Sequence, residues 1–256
     1  MEISILTIAT GKYIEFIPNL IDSSEKYFLK EHSKTYYVFT DIELPLVVGN
    51  AKIVKIYQKK LGWPYDTMMR FHMFMTIEKK IKNTDFTFFL NANMKFLNEV
   101  GEEVLPSGED VYFTGVKHPG FFKFSTSDMP YERRKESNFY ISGENNKNKM
   151  YYQGCFNGGY SSKWIEMCKT LSNKIDEDLN SNIIPVWHDE SAINWYFCNI
   201  KLNSLEPNYS LPEQILIKDF DPNRKHCYGF LTETKPYLIQ RDKRKYGGTD
   251  FLRNNI

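Results

Sequence analysis

The chain has 256 residues, enough for one large α/β domain or two small ones with a substantial core. Lysine and arginine total 33 against 32 aspartates and glutamates, and the resulting formal charge of +1 argues against nucleic acid or a membrane surface as a partner. Aromatic residues make up 16%, a richness that suits carbohydrate recognition, where ring faces pack on sugar C–H surfaces, and equally suits an aromatic core.

Ile3–Ile8 reads as a buried first strand, followed by the turn Ala9–Lys12. Apolar residues at Tyr13, Phe16, Ile17, Leu20, Ile21 and Phe28 give Tyr13–Leu29 a helical spacing. Thr35–Thr40 is a second strand ending at Asp41, and Ala51–Tyr57 a third. Asp66–Ile81 is expected to be helical, with Met69, Phe71, Met73, Phe74 and Ile77 available for packing, and Asp85–Leu90 is the fourth strand. This alternation predicts an α/β fold with a mostly parallel central sheet flanked by helices. Lys123–Lys149 is polar and reads as an excursion. Tyr151–Tyr160 is glycine-rich, as backbone passing close to a ligand or another strand would be. Helices are expected at Ser161–Asn180 and from Asp189 to Cys198. The basic cluster Arg241–Lys245 reads most simply as solvated surface. With neither internal repeat nor linker, a single domain over 1–256 is expected.

Cys155, Cys168, Cys198 and Cys227 form no CxxC pair and have no histidine at zinc-ligand spacing. Reduced structural thiols, and hence a cytoplasmic protein, are the expectation. The opening residues lack a basic n-region, so they do not read as a secretory signal, and no apolar run approaches the ~18 residues of a membrane helix.

The first chemical signal is Phe86–Leu90 running into Asn91-Ala92-Asn93-Met94. A strand end with two aspartates at i, i+2 can direct both carboxylates to a hard cation holding a nucleoside diphosphate. Here both positions are neutral amides. An ordinary strand end and a sugar-nucleotide site rebuilt without its metal both fit. Open α/β sheets bind ligands at the carboxyl ends of their strands, which would bring Ile8–Tyr13, Asp41 and Asn91–Asn93 to one edge. The second signal is Trp187-His188-Asp189-Glu190-Ser191. Asp189 or Ser191 could cap a helix. Alternatively, a carboxylate there could act as a nucleophile or stabilise positive charge at an anomeric carbon. His118, in the turn His118-Pro119-Gly120-Phe121, and Arg70, in the helix leading to the Asn91 strand, each fit a structural role or a ligand contact.

Together these segments resemble glycosyltransferase family six, the retaining α-1,3-galactosyl- and N-acetylgalactosaminyltransferases that include the blood-group A and B enzymes. The resemblance runs in order through Ala9–Glu15, Tyr36–Asp41, Met68–Arg70, Asn91–Met94, His118–Phe121, Tyr131–Arg134, Tyr151–Gly154, Gly158–Gly159 and Trp187–Ser191. It implies a GT-A fold, with residues 1–95 mainly holding nucleotide, 110–200 the donor sugar and acceptor, and 205–256 a tail that matches poorly. It also implies that the donor is held by Ile8, Ala9, Thr10, Tyr13, Arg70, Asn91, Ala92, Asn93, Gln153, Gly154, Cys155, His188 and Asp189. Gln153 and Cys155 match the positions that separate galactose from N-acetylgalactosamine. The acceptor would meet His118, Trp187 and Glu190, with Glu190 as the catalytic nucleophile or ion-pair stabiliser.

Two departures stand out. Asn91 and Asn93 replace the metal-binding aspartates, so no cofactor and no divalent metal is expected, as in the bacterial branch of the family. Charge on departing UDP would fall to Lys95, Lys243, Arg244 or Lys245. The chain also lacks the membrane anchor and stem of the animal enzymes, pointing to a soluble bacterial cytoplasmic enzyme. The expected reaction moves GalNAc from UDP-GalNAc to the 3-OH of a galactose, as in a fucosylated H-type glycan. UDP-Gal as donor, dominant hydrolysis of the UDP-sugar, and a degenerate protein that binds glycan or nucleotide without turnover are the alternatives. Nucleic acid and membrane partners are not expected, and the chain would be a monomer or weak oligomer.

Overall fold

A computed structural model of the chain describes residues 1–43, 45–142, 150–216 and 225–253, with backbone alone at 225–227. Residues 143–149 of the expected polar excursion, the Cys227 side chain, and residues 217–224 and 254–256 of the tail lie outside the described residues.

In chain order the first half runs β1 (Glu2–Ile8), α1 (Ile17–Tyr27), β2 (Ser33–Thr40), β3 (Lys52–Tyr57), α2 (Tyr65–Met68), α3 (Arg70–Met75), α4 (Glu78–Ile81), β4 (Phe86–Leu90) and β5 (Met94–Phe96). The second runs β6 (Val111–Lys117), β7 (Tyr152–Tyr160), α5 (Ser161–Asn180), α6 (Asp189–Phe197), β8 (Lys201–Leu205), β9 (Leu211–Pro212), α7 (Glu213–Leu216), α8 (Lys225–Leu231), β10 (Leu238–Gln240) and α9 (Gly248–Arg253). The main sheet has the order β3-β2-β1-β4-β7-β6-β8. Pairings β1–β2, β2–β3, β1–β4 and β6–β8 are parallel, whereas β7 is antiparallel to both β4 and β6. Only β7 therefore runs against the rest. The fold is a single α/β domain of the GT-A type, with a mostly parallel sheet flanked by helices.

Alternation along the strands makes two cores. Ile3, Ile5, Tyr36, Val38, Phe88 and Leu90 pack on α1, while Leu6, Tyr37, Phe39 and Phe89 pack on α5 through Trp164, Cys168 and Leu171. The glycine-rich segment is itself a strand, and at Gly158 and Gly159 its backbone passes close to the neighbouring strands, the second of the two possibilities the sequence left open. A Cβ on Gly158 would lie 2.1 Å from the Phe88 ring, and one on Gly159 would lie 2.4 Å from the Tyr112 carbonyl oxygen. Flat aromatic cover over β7 thus requires bare backbone.

Two helices differ from the sequence reading. Tyr13–Leu29 divides into a 3-10 turn at Gly11–Phe16 and α1, because Pro18 sits in the first turn of α1, where its missing N–H costs nothing. Asp66–Ile81 breaks into α2, α3 and α4 at Met69 and Ile77, both off helical geometry. The Thr67 carbonyl next to the first break accepts from Arg70 Nε at 3.3 Å.

Because β7 is antiparallel, its beginning shares an edge with the ends of β1, β4 and β6. The Asn91 amide donates to the Cys155 carbonyl at 2.9 Å, and the His118 amide to the Tyr151 carbonyl at 2.8 Å. Beside that edge lies a second sheet, β5-β10-β9, that joins residues 94–96 to the C-terminal segment.

Candidate functional site

Three cavities open along this edge. The first, about 340 Å³, is lined by Ile8, Thr10, Tyr13, Arg70, Asn91, Ala92 and Asn93 together with Lys60, Trp63, Asp66, Thr67, Phe89, Lys243, Thr249 and Arg253. The second, about 220 Å³, is lined by Trp63, Thr67, Arg70, Asn91, His118, Gln153, Gly154, Cys155, Trp187, His188, Asp189, Glu190 and Gln240. The third, about 380 Å³, shares His118, Trp187, Glu190 and Gln240 with the second and adds Pro119, Phe121, Pro212 and Tyr228. Every sequence-proposed donor and acceptor residue except Ala9 lines at least one of them; Ala9 is buried, its amide donating to the Phe39 carbonyl at 2.8 Å.

The asparagine pair does not continue the pleat. β4 stops at Leu90, and Ala92–Asn93 form a turn in which the Met94 amide donates to the Asn91 carbonyl at 3.0 Å. Asn91 borders the first two cavities. Asn93 is buried and tied to the tail: its Nδ2 donates to the Arg241 carbonyl at 2.9 Å, and the Arg241 amide donates to the Asn93 carbonyl at 2.8 Å.

Arg70 is the pivot of the cleft. Buried, it donates through Nη2 to Asp189 Oδ2 at 2.7 Å and through Nη1 to the Gly154 carbonyl at 2.7 Å, with its guanidinium 4.2 Å from the centre of the Phe89 ring. Its position after the helix break points it at β7. Gly154 makes the approach possible, since a Cβ there would stand 2.8 Å from Asp189 Oδ2. The Gly154 amide in turn donates to Glu190 Oε2 at 2.7 Å.

Asp189 and Glu190 open α6. The capping role the sequence allowed for Asp189 or Ser191 is not what forms: His188 holds the N-cap position and makes no side-chain cap bond. Asp189 instead pairs with Arg70, and Ser191 Oγ accepts from the Trp187 amide at 2.9 Å. His188 has φ 53, a left-handed backbone that a non-glycine residue rarely adopts, and its ring lies 4.5 Å from the Trp63 ring. Two braces hold this segment. Asn194 both accepts from the Tyr152 amide at 2.8 Å and donates to the Tyr152 carbonyl at 2.7 Å, clamping α6 to β7. Glu132 Oε2 accepts from the Val186 amide at 2.8 Å, and Arg134, paired with Glu132 at 2.6 Å, donates to the Ile184 carbonyl at 2.5 Å.

The carboxyls sit in a demanding environment. Burial raises Glu190 to about 7, helped by the Asp189 charge and opposed by the Gly154 amide, the Tyr151 hydroxyl and Arg70. Burial also raises Asp189, with the Arg70 guanidinium pulling the other way. Burial, with the neighbouring Glu190 charge, raises the pKa of the Tyr151 hydroxyl, which lies beside that carboxylate. Burial pushes the Cys155 thiol up to about 12, so it stands as a neutral donor.

Of the four cations proposed for the diphosphate, Lys243 lines the first cavity, its Nζ 5.2 Å from the Tyr13 ring centre. Burial and the Arg253 charge lower its pKa. Arg244 pairs with Asp242 at 2.8 Å and Lys245 with Glu213 at 2.9 Å, and Lys95 lies in β5 opposite Ile239; none of these three lines the described cavities. The basic cluster is therefore divided: a capped 3-10 turn, Lys243–Tyr246, turns one half-buried cation toward the cleft and leaves two exposed at its outer side, which a uniformly solvated surface would not do. Lys60, Trp63, Thr67, Arg253 and Gln240 were not legible as site residues. They stand singly in a loop, a short strand and two short helices, where no local motif marks them.

Residues 1–221 match the family described as glycosyltransferase family 6. O-antigen biosynthesis glycosyltransferase WbnI of Escherichia coli is 34% identical over 245 residues, covering 96% of each chain. Histo-blood group ABO system transferase 2 of Rattus norvegicus is 30% identical over 222 residues, 84% of this chain and 64% of that protein. Globoside alpha-1,3-N-acetylgalactosaminyltransferase 1 of Gallus gallus is 31% identical over 218 residues, 82% of this chain and 61% of that protein. The chain thus spans less than two thirds of these two animal relatives. Among the described residues no helix is long and apolar enough to cross a membrane.

Proposed function

The chain belongs to glycosyltransferase family 6, and on that premise we propose that it moves GalNAc from UDP-GalNAc to the 3-OH of a galactose, retaining the α configuration and using no divalent metal. As a family member it is a hexosyltransferase that takes a nucleotide-sugar donor and a glycan acceptor. The observation that carries the reading is that Glu190 borders two cavities at once, one continuous with the nucleotide cavity through Arg70 and Asn91, the other walled by His118, Phe121 and Trp187. A group so placed touches the point where a donor sugar and an acceptor hydroxyl meet.

In this arrangement uridine and ribose lie along Ile8, Thr10 and Tyr13, and the diphosphate lies between Lys243, Arg253 and Lys60. As the anomeric C–O bond breaks, its electron pair passes to the phosphate oxygen, and these cations stabilise the charge. The sugar becomes oxocarbenium-like beside Glu190, whose carboxylate either bonds to the anomeric carbon until the acceptor displaces it or stabilises that carbon as an ion pair; the acceptor 3-OH oxygen then bonds to the anomeric carbon and its proton passes to the departing phosphate oxygen. Trp187, half exposed at 48%, offers its ring face to the acceptor galactose.

The donors at the strand end do not suit a divalent cation. Asn91 and Asn93 provide neutral amides where hard cations select carboxylates, and the Asn93 side chain is tied to the tail through its Nδ2, which donates to the Arg241 carbonyl. Cations on the protein take that place in our reading. Room for an acetamido group is supported by the small Cys155 and by a Gln153 side chain drawn into the wall. The match along nearly all of an E. coli protein supports a bacterial source, and free Cys155, Cys168 and Cys198 support a cytoplasmic one.

Incubation with UDP-GalNAc or UDP-Gal, with EDTA, and with or without 2′-fucosyllactose tests the proposal. Acceptor-dependent GalNAc transfer in EDTA is the expected result. Absence of turnover would leave only a binding role, loss of activity in EDTA would remove metal independence, and UDP release indifferent to acceptor would identify a hydrolase.

A further inference from the structure

Gln153 and Cys155 begin β7 at the floor of the sugar cavity, yet neither holds its own position. Gln153 is 2% exposed, and a buried amide must find partners for its oxygen and nitrogen. Its Oε1 accepts from Gln240 Nε2 at 2.9 Å and from the Cys155 thiol at 2.6 Å, and its Nε2 donates to the Ser210 carbonyl at 3.4 Å. Ser210, fully buried, brings its Oγ 3.1 Å from Cys155 Sγ and accepts from Gln240 Nε2 at 3.2 Å. Four side chains from three distant segments close into one network. Gln240 arrives on β10, a strand of the small second sheet, and itself borders both the sugar cavity and the acceptor cavity.

We infer that Gln240 is a specificity-determining residue: by anchoring the Gln153 amide in the wall, it sets how much space the cleft leaves for the substituent at C2 of the donor sugar. The inference rests on the reading above that Gln153 and Cys155 face that substituent. Gln240 supplies the only side-chain N–H described at the Gln153 oxygen. Without it, a buried carbonyl keeps a thiol alone, and leaving a buried acceptor so poorly satisfied is costly. The cavity offers the amide a way out. A Gln153 side chain turned into the cavity takes up room that an acetamido group needs and a hydroxyl does not.

The experiment compares kcat/KM for UDP-GalNAc and UDP-Gal, with one fucosylated acceptor, in the wild type, Gln240→Leu and Gln240→Met. Both substitutions keep the bulk and remove the N–H. UDP affinity reports on the nucleotide cavity, which Gln240 does not line, and should stay within about twofold of the wild type, so whichever variant meets that condition decides. The expected result is a fall of about tenfold or more in the GalNAc-to-Gal ratio, within the range one small group commands in a fitted pocket. Ser210→Ala should shift the ratio the same way and less, because its backbone carbonyl, the partner of Gln153, remains. An unchanged ratio, or equal losses on both donors, would overturn the inference. A wild type that turns over neither donor defeats the functional reading instead.

Discussion

The two ends of the cleft carry opposite charge and are built differently. At the nucleotide end Lys60, Lys243 and Arg253 gather around a cavity whose one nearby carboxylate, Asp66, accepts from the Leu61 amide at 2.6 Å. Two of these cations come from the C-terminal turn and α9, held by ring contacts such as Arg253 over Trp63 at 4.3 Å. At the sugar end Asp189 and Glu190 stand at the start of a helix clamped to the central sheet by Asn194 and braced by Glu132 and Arg134. The difference fits the chemistry we propose for each end. Stabilising a departing diphosphate needs positive charge within reach, which these long side chains provide. Stabilising an anomeric carbon needs a carboxylate in one place, which a rigid frame provides. Arg70 belongs to both ends and keeps the negative pair from being a buried liability.

The largest test of this division is Glu190→Gln. It should lower kcat by at least about 100-fold while leaving UDP affinity unchanged; a comparable loss of UDP binding would mean the two ends are not separable. The same variant has a stability signature. Because Glu190 titrates near 7 in the folded chain against an ordinary 4.5, the native state holds its proton longer than the unfolded one. Stability from this group is therefore present below about pH 4.5 and lost as pH rises through about 7. Urea unfolding of Glu190→Gln should lack that decline and exceed the wild type at pH 8. Next in size, Arg70→Met leaves Asp189 buried without its cation and should cost about 3–5 kcal/mol in urea unfolding. A loss below about 1 kcal/mol would show that Asp189 has another route to neutrality.

At the nucleotide end, Lys243→Ala and Arg253→Ala should each weaken UDP binding about tenfold by calorimetry, the scale of one charge-assisted hydrogen bond. Stability should barely change, and EDTA should make no further difference. The smallest effect belongs to Tyr151→Phe. If the hydroxyl favours the ionised carboxylate, its removal should move the acid limb of the kcat profile upward from about 7 by a fraction of a unit. A downward shift would reverse that assignment.

Much of this cleft was legible beforehand. Apolar runs marked the first four strands, the rule about carboxyl edges brought Ile8–Tyr13 and Asn91–Asn93 together, and Trp187–Ser191 stood out as a polar cluster open to either a cap or a catalytic role. What escaped depends on distance in sequence. No local pattern says that β7 runs against its neighbours, yet that direction delivers Gln153–Cys155 to the site. The pleat argument for Asn91 and Asn93 failed because the chain turns at Ala92, and the partner that Asn93 finds there, Arg241, lies far down the chain. The cation choice among Lys95, Lys243, Arg244 and Lys245 turned on which neighbours had carboxylates to offer, Asp242 and Glu213 claiming two of them.

The paired hydrogen bonds between Asn93 and Arg241 join residues 148 positions apart. A nascent chain can align β1, β2 and β4 long before Arg241 has been made. Until it has, the first cavity lacks Lys243, Thr249 and Arg253 from its lining. During translation, then, sheet formation and completion of the first cavity are separate events, and a ribosome stalled short of Arg241 would carry the strands of the main sheet without the Lys243 and Arg253 side of that cavity.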